Sequence, residues 1–443
     1  MTEHSVRGFD SDLLPSKGYT HMRHLAHHKT QRRGAIIPLF AILLIPLLGM
    51  LAFSIDIGWI TLVKTDLQTA ADAAALAGAE KLQELYVQYT MPGQTGLSAI
   101  LTTATTNTTG SPMATAETFA NYNKAGNVSI GVRDADVTFG FTDAQGAYHS
   151  DYANYNGGFP NSITVITRRD SIKNTPVSLF FGPIFGMTTK ELNATSTATI
   201  YSGEVSSLQS IAGVNAHILP VALDVNIWNH FYKTMGQSPD GTIHLASNGM
   251  PELFIYPNGP WALDPTGNGG SFGLLDVGPP QNNVPAFRNW IDDGETPNDI
   301  NYLITNNLVP VSLNSPKNWK CGPGLKSTLQ SNFYSQMGVP NLIPLFIPQQ
   351  APSGSGWLAL NTGSSYQAGS GNGQNNTYAI VGFAGVAISQ ADGSGSNMNI
   401  SVQPCAVVDP TAFIANPKPA GTQNSQFSSS TMITTFISAK LTR

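Results

Sequence analysis

The apolar and polar positions of the chain fall into two regimes. From Gly34 to Ile55 it runs for 22 residues without a charged side chain (GAIIPLFAILLIPLLGMLAFSI). At about 1.5 Å per residue a helix of that length reaches about 33 Å, enough for a hydrocarbon core of about 30 Å. No second run is comparable, so a single span is predicted, with Ala35, Ile36, Ile37, Leu43, Leu44, Leu47, Leu48 and Leu51 as its membrane-anchor residues. Pro38 and Pro46 lie inside it, which a membrane helix tolerates where neighbours resatisfy the freed carbonyls. A cleaved signal peptide fits less well, since its apolar core needs only about 7–15 residues.

The helical pattern continues past Asp56. Ile60, Val63, Leu67, Ala70, Ala71, Ala74, Leu82 and Leu85 recur mostly at three- and four-residue intervals, with no proline before Pro92. One helix from about residue 35 to about residue 88 is predicted, some 80 Å long. Ala70, Ala71, Ala74, Ala75 and Gly78 give it a smooth packing face that lets another backbone come close. Spacing alone leaves two occupants open: this chain's own globular domain, or copies and partners in an assembly.

Beyond Pro92 the periods shorten. Residues 93–110 are rich in Ser, Thr and Gly and read as a loop, followed by a short helix at 114–123. Strands are predicted at 128–139, 162–167 and 192–201, with the apolar stretch Pro176 to Phe185 as core or as a short helix docked on them. From about residue 210 onward, strands are predicted at 218–225, 253–256, 272–277, 302–313, 342–347, 378–388, 400–408 and 432–441. Helices are predicted around 286–292 and 325–337, and polar surface loops at 363–377 and 415–430. The fold class is therefore α+β: a cytoplasmic basic head (1–33), a transmembrane helix (34–56), its extension (57–90), a membrane-proximal α+β domain (91–209) and a strand-rich C-terminal domain (210–443).

Composition sharpens this picture. Only 11% of the 443 residues are charged, where a soluble domain carries roughly a quarter; so few charges argue against a disordered chain and a nucleic-acid binder. Residues 1–33 hold six Lys and Arg against three acids, and the remainder is net acidic. Arg32 and Arg33 abut the apolar run while only Lys64 lies close on its far side. The positive-inside bias then places the head in the bacterial cytoplasm and the bulk of the chain outside the cytoplasmic membrane. The span is too short to explain the shortage of charge, which belongs to the Ser/Thr/Asn/Gly-rich exterior and suits assembly contacts better than electrostatic capture of a partner. In that compartment Cys321 and Cys405 are a disulfide candidate, worth about 4 kcal/mol in the chain-entropy picture, with free buried thiols as the alternative.

The residues around the span carry a resemblance. Arg32-Arg33-Gly34-Ala35 and the apolar run, then Ser54-Ile55-Asp56-Ile57-Gly58-Trp59, then LQTAADAAALAGA from Leu67 to Ala79, resemble the N-terminal motif of TadE/TadG-like proteins of the Flp (tight-adherence) pilus. Pro176 to Gly186 and the following stretch to Ile200 are similar to a later segment of TadG-like chains. The resemblance implies a bacterial single-span protein of pilus or surface-appendage assembly, not an enzyme. One departure stands out: pseudopilins of a related class are cleaved after a Gly and carry a Glu five residues on. Counting from Gly34 that position is Leu39, so the basic head is expected to stay attached.

Chemical motifs are sparse. His21, His24 and His28 share a helical face, yet no acid completes a metal site. Ser271 sits in a Gly-x-Ser-x-Gly pattern without the preceding strand, following helix or later His that a nucleophile elbow requires. Asp392 to Ser396 matches an Asp-x-Ser-x-Ser metal motif, but only 47 residues remain to complete such a domain. Gly369 to Gln374 imitates a dinucleotide loop with no helix after it. Asp224, Asp292 and Asp293 read as isolated acids in solvated turns or caps. No catalytic, cofactor or metal site is expected, nor any cofactor or small-molecule substrate. The function expected is non-covalent assembly of a Tad/Flp-type pilus or surface adhesion, with the lipid bilayer and other pilus-assembly components, or further copies of the chain, as partners. One alternative is a surface ligand-binding module or adhesin using Trp228, Trp261, Trp290 and Tyr378. The other is an extracytoplasmic hydrolase.

Overall fold

The computed structural model describes residues 36–91, 94–155, 158–234, 236–256, 272–280, 283–322, 327–347, 377–393, 399–421 and 436–442. It divides into two compact units, residues 1–55 and 56–443. The leading helix α1 (Ile36–Thr90) runs for 55 residues, as the uninterrupted apolar periodicity predicts. In the first unit its apolar side chains face outward, Ile37 76% exposed and Leu43 61%. Among the described residues it is the one helix long and apolar enough to cross a membrane. Ala35 lies outside the described residues.

In the second unit α2 (Leu97–Thr105) occupies part of the predicted 93–110 loop. Its threonines satisfy their own hydroxyls, Thr102 on Ser98 O and Thr103 on Ala99 O, so a polar composition does not prevent the helix. Ser111 then caps α3 (Pro112–Asn121) by accepting from Ala114 N. A hairpin follows, β1 (Lys124–Ala125) and β2 (Val128–Ser129), and then β3 (Val137–Thr142), β4 (Tyr148–His149), β5 (Ser162–Arg169), a ribbon of β6 (Val177–Ser178) and β7 (Thr189–Lys190), and the 17-residue β8 (Leu192–Leu208). The predicted 128–139 strand is broken by a short helical turn at Asp134–Asp136. There Asp136 accepts from Arg133 Nε at 2.7 Å and Arg168 Nε at 3.1 Å. Burial alone would raise that carboxyl, and the two guanidinium partners outweigh it, so it sits below the usual carboxylate range.

The chain then builds a second sheet from β9 (Val221–Asp224), α4 (Val225–Lys233), β10 (Leu253–Tyr256), β11 (Phe272–Leu275), α5 (Val284–Asp293), α6 (Pro297–Thr305), β12 (Lys317–Gly322), α7 (Gln330–Ser335), β13 (Pro340–Phe346), β14 (Thr377–Asp392) and β15 (Asn399–Pro404). The strand order is β10-β15-β14-β12-β11-β9-β13, and β13 also pairs with β14, which closes five strands into a ring. Among the described strands of this sheet, only the β13–β9 pair runs parallel. The ring encloses the larger apolar core, including Leu223, Trp319, Ile343 and Phe383. The predicted strand at 302–313 is corrected: Thr296 and Asp299 form a reciprocal capping box that starts α6, which buries Ile300 and Leu303.

The last strands return to the first sheet. β16 (Ala412–Pro419) and β17 (Phe436–Thr442) both pair with β8, giving the order β16-β8-β5-β3-β4 with β17 also on β8. A single strand, β8, is long enough to hold β5 along Leu192–Thr199, β16 along Tyr201–Leu208 and β17 along Thr197–Gly203. Residues 412–419 and 436–442 therefore pair with a strand of the 91–209 segment, so the chain leaves this sheet after Leu208 and comes back to it. β16 also occupies part of the predicted 415–430 loop, whose residues from 422 onward, like 363–376 of the other loop, lie outside the described residues. A buried hydroxyl network of Thr142, Ser162, Thr199 and Thr442 joins first and last strands at 2.6–2.8 Å.

Candidate functional site on the N-terminal helix

The small residues of α1 have an occupant. Ala70, Ala71, Ala74 and Ala75 are fully buried within this chain. Val63, Leu67, Ala70 and Ala71 pack with Ala125, Ile130, Val177 and Ala194. One turn on, Ala74, Ala75, Ala79 and Leu82 join Ala116, Ile163, Val165 and Ala198. Gly78 marks the closest approach: a Cβ there would stand 2.7 Å from Ile163 Cδ1 and 3.1 Å from Pro112 O. Of the two occupants that spacing left open, the one in contact is the chain's own domain.

Polar groups fix the register of this docking. Thr167 Oγ1 donates to Leu67 O at 2.8 Å, Gln68 Nε2 donates to Thr195 O at 3.3 Å, and Lys64 Nζ donates to Asn193 O. The turn between β1 and β2 needs positive φ at Gly126 and Asn127, 56° and 66°. It brings Gly126 so close that a Cβ would lie 2.9 Å from Val63 Cγ2 and 3.1 Å from Trp59 Cζ2. Buried Arg169 holds the same turn, donating to Ala125 O at 2.6 Å and Thr175 O at 2.8 Å; burial lowers its pKa.

Asp56, the first charged residue after the apolar run, is buried, and its carboxylate accepts from Phe180 N at 2.8 Å and Phe181 N at 3.1 Å. Trp59 meets Phe180 edge to face, centroids 5.5 Å apart. The stretch 176–185, predicted as core or a docked helix, meets that expectation only in small part: Val177 joins the core and Gly182–Phe185 form a single short 3-10 turn. Only Val177 and Gly182 are buried; Phe180, Ile184, Phe185 and Met187 are exposed on a tight loop above the β6–β7 ribbon. Sequence reasoning named Asp56 and this stretch only within the resemblance and missed the bond between them. An acid directly after an uncharged run needs a partner or water, and that was the available signal.

The opposite face of α1 stays open. Ile57, Gly58, Thr61, Leu62, Thr65 and Thr69 are exposed. Thr61, Thr65 and Thr69 each turn their hydroxyl back to the carbonyl four residues earlier, which leaves methyl groups outward.

Among the described residues, the remaining sequence-predicted sites do not come together. Trp228 and Trp290 are buried in the core and Tyr378 is half-buried against Phe346, so they line no exposed groove. Trp261, Ser271, His21, His24, His28, residues 369–374 and residues 394–396 lie outside the described residues. Asp224 is buried at the end of β9, accepts from Asn226 N at 2.7 Å, and is pushed up to about 6 by burial. Asp292, at the end of α5, accepts from Asn332 Nδ2 of α7 at 2.6 Å, a contact between helices and not a cap, and Asp293 is exposed. Among the described residues no group of three or more His, Cys, Asp or Glu is placed to hold a metal.

The expected Cys321–Cys405 bond is corrected too, both thiols being free and buried. Register gives the reason. Lys320 lies opposite Thr377, whereas Cys405 N donates to Gly385 O. Eight residues of strand separate those points, roughly 25 Å, far beyond the Cα separation of about 7 Å that a disulfide allows.

A family model described as "Putative Flp pilus-assembly TadE/G-like" matches residues 34–81. No curated protein and no solved structure matches the chain. The matched residues coincide with the apolar half of α1 and the part docked through Ala70 to Gly78, so residues 34–81 are similar to a TadE/G-like segment of the Flp pilus-assembly type.

Proposed function

We propose that the chain is a single-pass protein of the bacterial cytoplasmic membrane, N-terminus inside, whose bulk serves outside the membrane in Flp-type pilus assembly or adhesion through non-covalent contacts. The observation that carries this reading is the position of the family segment. It falls on one helix whose first part is apolar and exposed and whose second part is fastened to its own body. With the alanine face occupied, contacts to other pilus components or to further copies use the open face of Gly58, Thr61, Leu62, Thr65 and Thr69. Such a face lets helices come close, its hydroxyls already satisfied. No catalytic step and no cofactor enter this reading.

The test is genetic and chemical together. Deleting the gene should remove or alter surface filaments in electron micrographs, and the wild-type copy should restore them. A photo-crosslinking residue in place of Leu62 or Thr65 should then give adducts in membranes, while one at buried Ala71 should give none between chains. Unchanged filaments in the deletion strain would sink the pilus role, and adducts at Ala71 alone would sink the choice of face.

A further inference from the structure

The loop between β6 and β7 is built to hold apolar side chains outward. Leu179 N donates to Thr188 O at 3.0 Å, Met187 N to Gly182 O at 3.0 Å and Ile184 N to Phe181 O at 3.0 Å. Gly182 is buried at the centre, where a Cβ would lie 2.3 Å from Met187 O and 2.7 Å from Leu179 Cδ1. Gly186 closes the turn at a φ of 81°. On this fixed frame Phe180 is 62% exposed, Ile184 75%, Phe185 57% and Met187 54%. Single exposed apolar residues are ordinary. Four within eight residues, on a backbone that prevents their collapse inward, make a patch that something covers.

Its place identifies what covers it. The loop's backbone is bonded to Asp56, which directly follows Ile55, the end of the 22-residue apolar run. Any bilayer that houses the run has its boundary at Asp56, within hydrogen-bonding distance of Phe180. Trp59, edge to face with Phe180, is of the residue type that gathers at that boundary. We infer that Ile184, Phe185 and Met187 dip into the outer face of the same bilayer, so the body rests on the lipid surface through this loop as well as hanging from its helix. The ligand is lipid, headgroup and upper acyl chain, and Asp56 is the positioning residue that ties the loop to the end of the span. This inference rests on the reading of residues 36–55 as a membrane span.

The test uses the full chain in vesicles of phosphatidylethanolamine and phosphatidylglycerol, with an environment-sensitive fluorophore attached through I184C, F185C, Y334C or F40C. Tyr334 is a 62% exposed control on α7, and Phe40 reports on the span itself. Interfacial side chains sit about 5–10 Å into the headgroup and acyl boundary, so labels at 184 and 185 should lose roughly half their emission to lipids spin-labelled near the head. They should lose little to lipids labelled at the chain end, and the label at 334 should be quenched by neither. Quenching at 40 without quenching at 184 and 185 overturns the loop contact while leaving the span intact. No quenching at 40 overturns the span reading. Adding D56A to F185C should weaken the shallow quenching at 185 while quenching at 40 persists; unchanged quenching at 185 would remove Asp56 from its positioning role.

Discussion

Two glycines of α1 allow one chemical change to be read against opposite surroundings. Glycine in a helix interior costs about 0.8–1 kcal/mol relative to alanine, so Gly→Ala should stabilise wherever the added methyl has room. At Gly58 nothing lies within 4 Å of the new Cβ, and Gly58→Ala should stabilise by about 1 kcal/mol. At Gly78 the methyl meets Ile163 Cδ1 at 2.7 Å, Pro112 O at 3.1 Å and Ala116 Cβ at 3.3 Å. Ile163 is fully buried and cannot swing into solvent, and the Pro112 carbonyl is backbone at the start of α3. Overpacking of this kind costs about 1–3 kcal/mol, which outweighs the propensity gain and leaves Gly78→Ala destabilised by about 1 kcal/mol. The two variants should therefore differ by about 2 kcal/mol, roughly thirtyfold in the unfolding equilibrium. Urea unfolding of the full chain in detergent, followed by tryptophan fluorescence and by hydrogen exchange across residues 74–86, measures both. Equal stabilisation at the two sites would refute the intrachain docking of the small-residue face.

Arg169→Leu should cost about 2–4 kcal/mol in the same assay, because it leaves the Ala125 and Thr175 carbonyls without their donor; a loss below about 1 kcal/mol would mean water replaces the guanidinium. Asp224→Asn tests a carboxyl that burial pushes up to about 6. Since the folded form holds its proton more tightly than the unfolded chain, wild-type stability attributable to this group is full below about pH 4 and is lost as pH rises through 6. The loss is up to about 3 kcal/mol, and a wild-type-minus-variant curve flat between pH 4 and 7 would refute it. Burial raises the Cys321 and Cys405 thiols to about 12, so neither should alkylate in the folded chain at pH 8. Both should alkylate on unfolding without reductant, and a doubly blocked mass would reveal a bond instead.

What could be read from the chain tracks the range of the interactions. α1 was legible because its signal is local: an uncharged run followed by small residues at helical spacing, with no proline until Pro92. The return of β16 and β17 to β8 was not, because pairing of Thr197 with Thr442 depends on a register set more than two hundred residues away. Residues 302–313 misled because Tyr302, Leu303, Ile304, Leu308 and Val309 look strand-like, while the deciding feature is the Thr296–Asp299 capping box just upstream. The alanine face could be recognised as a packing surface, but its occupant could not, since both occupants ask for the same small residues. The loop at 180–187 departed from its expectation: an aromatic, apolar stretch reads as core unless one knows that Asp56 fastens it beside the end of the apolar run.

The division of α1 into an occupied and an open face also decides which mutations inform on assembly. Ala71→Leu forces three extra carbons into a site with no exposure. The overpacking cost of about 1–3 kcal/mol or more disturbs the body whether or not any partner exists, so lost filaments in that variant say nothing about contacts. Thr65→Leu behaves differently. Thr65 is exposed, its hydroxyl bonds only Thr61 O, and leucine is the better helix former by a few tenths of a kcal/mol. The folded chain should keep or slightly raise its unfolding midpoint, while the bulk added to the open face should weaken helix–helix approach and reduce crosslinking from Leu62. Filaments and adducts at wild-type level in a stably folded Thr65→Leu chain would mean that assembly contacts lie elsewhere on the body, and that the TadE/G-like segment serves only to anchor it and hold it in place.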